Sequence, residues 1–148
     1  MSKIIVLGAG IIGLSTAMLL AHQGHDVVVL ESDAALPPQS PEAAWETWER
    51  KGVAQFRQPH YLHSGGREIL DHHLPELKAA LAASGCIEFN TLSLLPPSID
   101  DRAARAGDER FATLTGRRTT LEYAAAKASA GLTTVERGVT ATALLTGD

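Results

Sequence analysis

Three glycines near the N-terminus have the spacing that binds a diphosphate. Gly8, Gly10 and Gly13 follow the apolar run of residues 3–7 and precede the apolar segment of residues 14–21. In this order the first glycine permits a tight turn, the second lets the backbone approach a pyrophosphate, and the third lets the helix pack closely on the sheet. A diphosphate would lie at the helix N-terminus, against free N–H groups and the positive end of the helix dipole. The segment therefore predicts a dinucleotide-binding turn.

An acid follows at the position where such a turn needs one. The second apolar run, residues 26–30, ends in Glu31, whose carboxylate can accept hydrogen bonds from a ribose diol. The same carboxylate would repel a 2′-phosphate, and Ser32 and Asp33 offer no arginine to receive one. NADP is therefore disfavoured at this site, which leaves FAD or NAD. A βαβ unit with a glycine-rich turn and no ligand is the alternative reading of the motif.

The elements that must position these residues follow from periodicity and turn residues. Residues 3–31 are predicted to form a strand, a helix and a strand. A proline-containing loop and a short helix come next, with Ser40 as the cap and Pro41 at its first position. The rest of the chain is predicted to contain a helix over 67–83 ended by Gly85, a strand region over 86–95, a helix over 119–130, strands at 133–136 and 139–145, and a turn at 144–148. The fold class is α/β, with a Rossmann-like βαβ core and a helical insert.

Composition narrows the class of protein. The 148 residues have the length of one domain, and a formal net charge of −4 without a basic cluster argues against a nucleic-acid partner. No apolar run approaches bilayer length, so no membrane partner is expected. The single cysteine, Cys86, is expected to be a packed, inert thiol in a reducing cytoplasm. His60 and His63 lack a nearby cysteine or acid at ligand spacing, so no metal site is expected.

Three segments together resemble the N-terminal part of FAD-dependent monooxygenases of the aromatic-hydroxylase and epoxidase type. The first is the glycine turn with Glu31. The second, residues 52–62, is similar to the family loop G-V-x-Q-x-R-x-x-H-x-L, and the third, residues 116–122, is similar to the R-x-x-L-E that begins a helix in that family. Many flavin and nicotinamide enzymes share the first motif, so the second and third motifs narrow the choice.

The resemblance implies FAD as the cofactor, NAD(P)H as a co-substrate, and oxygenation of an aromatic or alkene small molecule. It places Glu31 on the adenosine ribose, Arg57 and Arg118 near the cofactor, and the strand that contains Thr140 against the adenine. No residue of the chain is predicted to be catalytic. The predicted cofactor-binding residues are Gly8, Gly10, Ile11, Ile12, Gly13, Glu31, Ser32, Arg57, Arg118 and Thr140.

Members of the resembling family are more than twice as long as this chain. Residues 1–148 are therefore expected to be the N-terminal part of an FAD-binding domain, incomplete relative to the family fold. An unpaired sheet edge, exposed apolar surface, weak or absent FAD binding and no turnover are expected to follow. The alternatives are a non-oxygenase flavin oxidoreductase or halogenase, an NAD-binding domain, and a non-catalytic nucleotide-binding module. The proline-containing loop after Glu31, in place of another βαβ unit, favours a flavin over NAD.

Overall fold

A computed structural model describes residues 1–145 of the chain. Two three-stranded sheets and five α-helices make up the regular structure of these residues, together with 3₁₀ turns at Thr91–Leu94 and Asp108–Phe111. In chain order the elements are β1 (Lys3–Leu7), α1 (Ile11–His22), β2 (Asp26–Glu31), α2 (Pro41–Thr47), β3 (Pro59–Leu62), α3 (Ser64–His73), α4 (Pro75–Ala83), β4 (Ile87–Asn90), β5 (Ala112–Arg117), α5 (Arg118–Ala128) and β6 (Thr134–Arg137).

The first sheet is parallel, in the order β1-β2-β6, and it carries the predicted strand–helix–strand. Its strands are rich in β-branched residues, which suit a pleated, buried surface. One face of the sheet packs against α1, and α1 in turn packs against α5, so that these layers form the main core. The buried side chains at the contact include Leu14, Met18, Val27, Val29, Leu121 and Ala124. The predicted α/β class with a Rossmann-like core is confirmed.

The opposite face of this sheet is open. Ile5 and Leu7 on β1 are 61% and 65% exposed, although both are apolar. Within residues 1–145, β1 lies at the edge of the sheet and pairs only with β2. Parallel sheets are ordinarily covered on both faces, so this combination of open face and open edge is unusual for a parallel sheet.

The second sheet is antiparallel, in the order β3-β5-β4, and its central strand leads directly into α5. β5 is absent from the sequence prediction. Gly116 is required in this strand, because a Cβ there would lie 2.6 Å from the Sγ of Cys86. Cys86 is buried, and burial raises the pKa of its thiol to about 11, which makes the thiol unreactive at neutral pH.

Two predicted elements have different bounds in the structure. The single helix expected over 67–83 is two helices, because Pro75 begins a new helix and the residue before a proline is disfavoured in helical conformation. Leu74 accordingly has φ −138° and ψ 56°. The strand region expected over 86–95 ends at Asn90, whose side chain accepts a hydrogen bond from the Leu92 N–H and starts a 3₁₀ turn.

The strand predicted over 139–145 is wrong for the described residues. The Val139 N–H donates to the Glu31 carbonyl at 3.0 Å, and residues 140–145 then form no strand. β-Propensity gives a strand only where a neighbouring strand pairs with it, which these exposed residues lack in the structure. The end of the predicted turn, residues 146–148, lies outside the described residues.

Among residues 1–145, no helix has both the length and the apolar character needed to cross a bilayer.

Candidate functional site: the glycine-turn cleft

A cleft of about 780 Å³ lies where β1 and β2 end. We refer to it as the glycine-turn cleft. The carboxyl ends of parallel strands are where ligands bind in open α/β sheets. The residues that line it are Gly8, Gly10, Glu31, Ser32, Asp33, Ala34, Glu49, Arg50, Lys51, Gly52, Val53, Ala54, Gln55, His60 and Arg118.

The turn between β1 and α1 needs glycine for two separate reasons. Gly8 has a φ of +92°, a left-handed conformation that other residues rarely adopt, and its N–H donates to the Leu30 carbonyl at 2.7 Å. Gly13 has ordinary dihedral angles, but a Cβ there would lie 2.0 Å from the carbonyl oxygen of Gly8. The predicted roles of these glycines, in turning the chain and in close packing of the helix, match this geometry.

The N-terminus of α1 faces the glycine-turn cleft without a cap. Gly10 is the N-cap residue and provides no side-chain hydrogen bond, whereas its carbonyl accepts from the Leu14 N–H at 2.9 Å. The N–H groups of Ile11, Ile12 and Gly13 have no intrahelical acceptor, because the first turn of a helix has none to offer. The two isoleucines therefore contribute backbone rather than side chain, since Ile11 is buried in the core and Ile12 points to solvent. These donors and the helix dipole favour an anion.

Glu31 is buried at the end of β2, and its carboxylate is fully hydrogen-bonded. One oxygen accepts from the Ala9 N–H at 2.7 Å and from the Arg50 guanidinium. The other accepts from the Asp33 N–H at 2.8 Å and from the Ser32 hydroxyl at 3.4 Å. Burial alone would raise the pKa of Glu31, but the hydrogen bonds from the Asp33 and Ala9 N–H groups, together with the charge and hydrogen bond of Arg50, hold it below its ordinary value. The carboxylate is therefore ionised and fixed in orientation.

The lowered pKa of Glu31 predicts a specific dependence of stability on pH. Since the folded-state pKa lies below the unfolded value of 4.5, the ionised carboxylate stabilises the fold above pH 4.5, and this contribution disappears as the pH falls through the folded-state pKa. We expect Glu31→Gln to lower the free energy of unfolding by about 1–3 kcal/mol at neutral pH, with the difference shrinking below pH 4.5. Urea denaturation of the wild type and of Glu31→Gln, from neutral to acidic pH, measures this difference in the free energy of unfolding.

The control for this experiment is Glu68→Gln, which removes an exposed carboxylate of α3. We expect it to change the free energy of unfolding by less than about 0.5 kcal/mol at every pH. A difference between the wild type and Glu31→Gln that stayed constant across the pH range would contradict the assignment.

Arg50 is the residue of the cleft that sequence reasoning missed. Its side chain is 4% exposed, and its guanidinium donates to the Ala9 carbonyl at 2.9 Å, to Glu122 at 3.3 Å and to Glu31. Its Nε lies 3.7 Å from a carboxylate oxygen of Asp33. One cation thus connects the glycine turn, the end of β2 and helix α5. No local pattern marks it, because its partners come from distant segments of the chain.

Arg118 lines the glycine-turn cleft, and its role in cofactor binding stays a prediction. It is the first residue of α5, and its backbone N–H donates to the Gln58 carbonyl at 2.9 Å. Its Nε donates to Glu122 at 2.7 Å, the helical i, i+4 pairing. The side chain is still 22% exposed and lines the cleft. Arg118 can therefore pair with Glu122 and still present part of its side chain to the cleft.

Arg57 and Thr140 do not line the glycine-turn cleft. Arg57 is exposed, donates to the Trp48 carbonyl at 3.0 Å, and lies over the Trp45 ring at 5.5 Å. Thr140 is exposed and follows the last residue that bonds to β2. Their roles in cofactor binding stay predictions.

From the second motif, Gln55 and His60 reach the cleft instead of Arg57. Gln55 has a φ of +56°, in the left-handed region where a non-glycine residue is uncommon. Such backbone strain is often found at functional sites.

The family profile described as FAD dependent oxidoreductase matches residues 3–144, nearly the whole chain. The chain belongs to this family. FAD is accordingly its cofactor. The glycine-turn cleft fits one end of FAD, because uncapped helix N–H groups and an arginine face a space beside a buried carboxylate, as a diphosphate and a ribose require.

The comparisons also support the resemblance to FAD-dependent monooxygenases. The chain is 36% identical over 90 residues to the FAD-dependent monooxygenase atnJ of Arthrinium sp, an alignment that covers 55% of this chain and 20% of that protein. The chain thus spans about a fifth of the length of this curated relative.

Two solved structures share the fold. A 2-methyl-3-hydroxypyridine-5-carboxylic acid oxygenase superposes with a TM-score of 0.55 at 19% identity, covering 93% of this chain and 31% of that one. PqsL of P. aeruginosa superposes with a TM-score of 0.56 at 20% identity, covering 91% of this chain and 33% of that one. The likeness confirms the Rossmann-like architecture.

Proposed function

We propose that this chain is the FAD-binding portion of a flavin-dependent monooxygenase. The whole protein would use NAD(P)H and O₂ to oxygenate an aromatic or alkene small molecule in the cytoplasm. The observation that carries the proposal is the meeting of the glycine turn, Glu31 and Arg118 in one cleft. The name of the atnJ relative supports the oxygenase assignment.

Different residues of the cleft would bind the diphosphate and the ribose of FAD. The N–H groups at the start of α1 and the guanidinium of Arg118 would hold the diphosphate, and arginine suits this role because it stays charged and has two parallel donors. The bound FAD supplies the redox chemistry, and the protein binds and orients it. Residues of this chain therefore act in binding rather than in proton transfer.

Ribose binding at Glu31 requires an exchange of hydrogen bonds. A carboxylate has about four acceptor positions, and all four are engaged in this structure. The bond from the Ser32 hydroxyl is the longest, at 3.4 Å, and a hydroxyl can rotate to another partner. A ribose hydroxyl would therefore replace Ser32 first, which gives Ser32 a place at the edge of the ribose site.

A ligand titration tests the proposal. The purified chain is titrated with FAD, ADP and NADP while backbone amide NMR signals are recorded. We expect FAD and ADP to shift the signals of the glycine turn with a dissociation constant on the order of 1 mM, and NADP to bind more weakly. No NADPH consumption is expected from the chain alone with FAD and oxygen. Preference for NADP, or the absence of shifts at the glycine turn with FAD, would overturn the proposal.

A further inference from the structure

We infer that Glu122 is a positioning residue that holds Arg118 for the diphosphate. The inference rests on the proposed function, because it concerns the same cleft. Glu122 is fully buried on α5, and its two oxygens bond different arginines, with Arg118 at 2.7 Å and Arg50 at 3.3 Å. A buried carboxylate is costly unless it is paired, and here it has two cations.

The location of Glu122 indicates a role beyond packing. A Cβ built at Gly10 would lie 3.6 Å from its carboxylate, so the negative charge lies directly behind the turn that receives a diphosphate. An unpaired carboxylate there would repel the ligand. Its charge is instead compensated by Arg118 and by Arg50, which Glu31 and Asp33 share.

The geometry also shows how Glu122 acts on Arg118. The bond to Glu122 uses the Nε of Arg118 and leaves both terminal nitrogens free of that carboxylate. The arginine is 22% exposed at the cleft, whereas Glu122 is not exposed at all. Holding one end of the guanidinium lowers the conformational entropy that Arg118 loses when it binds an anion. Glu122 itself does not contact the ligand.

The test compares ADP with adenosine, which lacks the diphosphate. We expect Glu122→Gln to weaken ADP binding about tenfold, as loss of one oriented charged hydrogen bond would, and to leave adenosine binding within twofold. In an Arg118→Met background, Glu122→Gln should have no further effect on ADP binding, because the residue through which it acts is gone. The matched control is Glu68→Gln, which should change neither affinity.

The outcomes separate the inference from the proposed function. A wild-type chain that fails to bind ADP overturns both. A wild-type chain that binds ADP, with Glu122→Gln binding it equally well or losing ADP and adenosine in parallel, overturns the inference alone. If Glu122→Gln does not fold, Glu122→Asp decides by the same comparison, since it keeps the charge but is too short to bond both arginines. It should lower ADP affinity and spare adenosine, and an unchanged ADP affinity would overturn the inference.

Discussion

Replacing Arg50 with methionine is expected to lower the free energy of unfolding by about 3–5 kcal/mol. The substitution keeps much of the side-chain volume but leaves the carboxylates of Glu31 and Glu122 without their shared cation in the interior. Removing one member of a buried ion pair costs more than the pair itself contributes, because the remaining charge is left desolvated. Urea denaturation followed by circular dichroism measures the change.

Arg57→Met is the matched control for this substitution. Arg57 is exposed and donates one hydrogen bond to the Trp48 carbonyl, so we expect a loss below about 1 kcal/mol. In the Arg50→Met background, Glu31→Gln should restore part of the lost stability, because Glu31 loses its ion pair with Arg50 there whereas Glu122 keeps Arg118. If Arg50→Met lowered the free energy of unfolding no more than Arg57→Met does, the buried ion pairs of Arg50 would not stabilise the fold around the cleft.

The glycine turn could be predicted from sequence because its chemistry is local. Gly8, Gly10 and Gly13 lie within six residues, and each requirement arises from the turn itself or from the helix that follows it. The position of Glu31 relative to the glycine turn follows from the lengths of α1 and β2, so it could be predicted as well. Arg118 was found through the resemblance of residues 116–122, and the structure places it at the cleft.

Arg50 could not be found in this way. Its partner Glu122 lies 72 residues further along the chain, and the two meet only after α5 packs against α1 and α2. Nothing in the residues around position 50 distinguishes a buried arginine from an exposed one, since Glu49 and Lys51 beside it are both exposed. The charge balance of a buried network depends on tertiary contacts, which spacing along the chain does not encode.

Local patterns also failed where pairing decides the structure. Residues 139–145 have the composition of a strand but form none in the structure, whereas β5, which was not predicted, is the central strand of the second sheet. The side-chain preference for strands reflects packing against neighbours more than the backbone itself. The motif predicts Arg57 near the cofactor, and in this structure its guanidinium contacts Trp48 and Trp45.

Substituting Gly13 with alanine is expected to destabilise the fold by about 3 kcal/mol, at the upper end of what overpacking costs. The added Cβ would lie 2.0 Å from the carbonyl oxygen of Gly8, and a backbone atom cannot move aside as the end of a flexible side chain can. Helix α1 must therefore shift away from β1, which disturbs the turn that forms the cleft. We expect the variant to lose ADP binding as well as stability.

Gly65→Ala separates this steric effect from the general effect of adding a methyl group. Gly65 lies in α3 with no atom within 4 Å of a built Cβ and no positive φ, so alanine there should raise stability by about 0.5–1 kcal/mol through its higher helix propensity. Thermal unfolding of both variants beside the wild type gives opposite shifts in Tm if the contact with Gly8 controls the outcome. Equal shifts of one sign would mean that the approach of α1 to β1 is less tight than the structure shows, and the diphosphate site would then not depend on the third glycine.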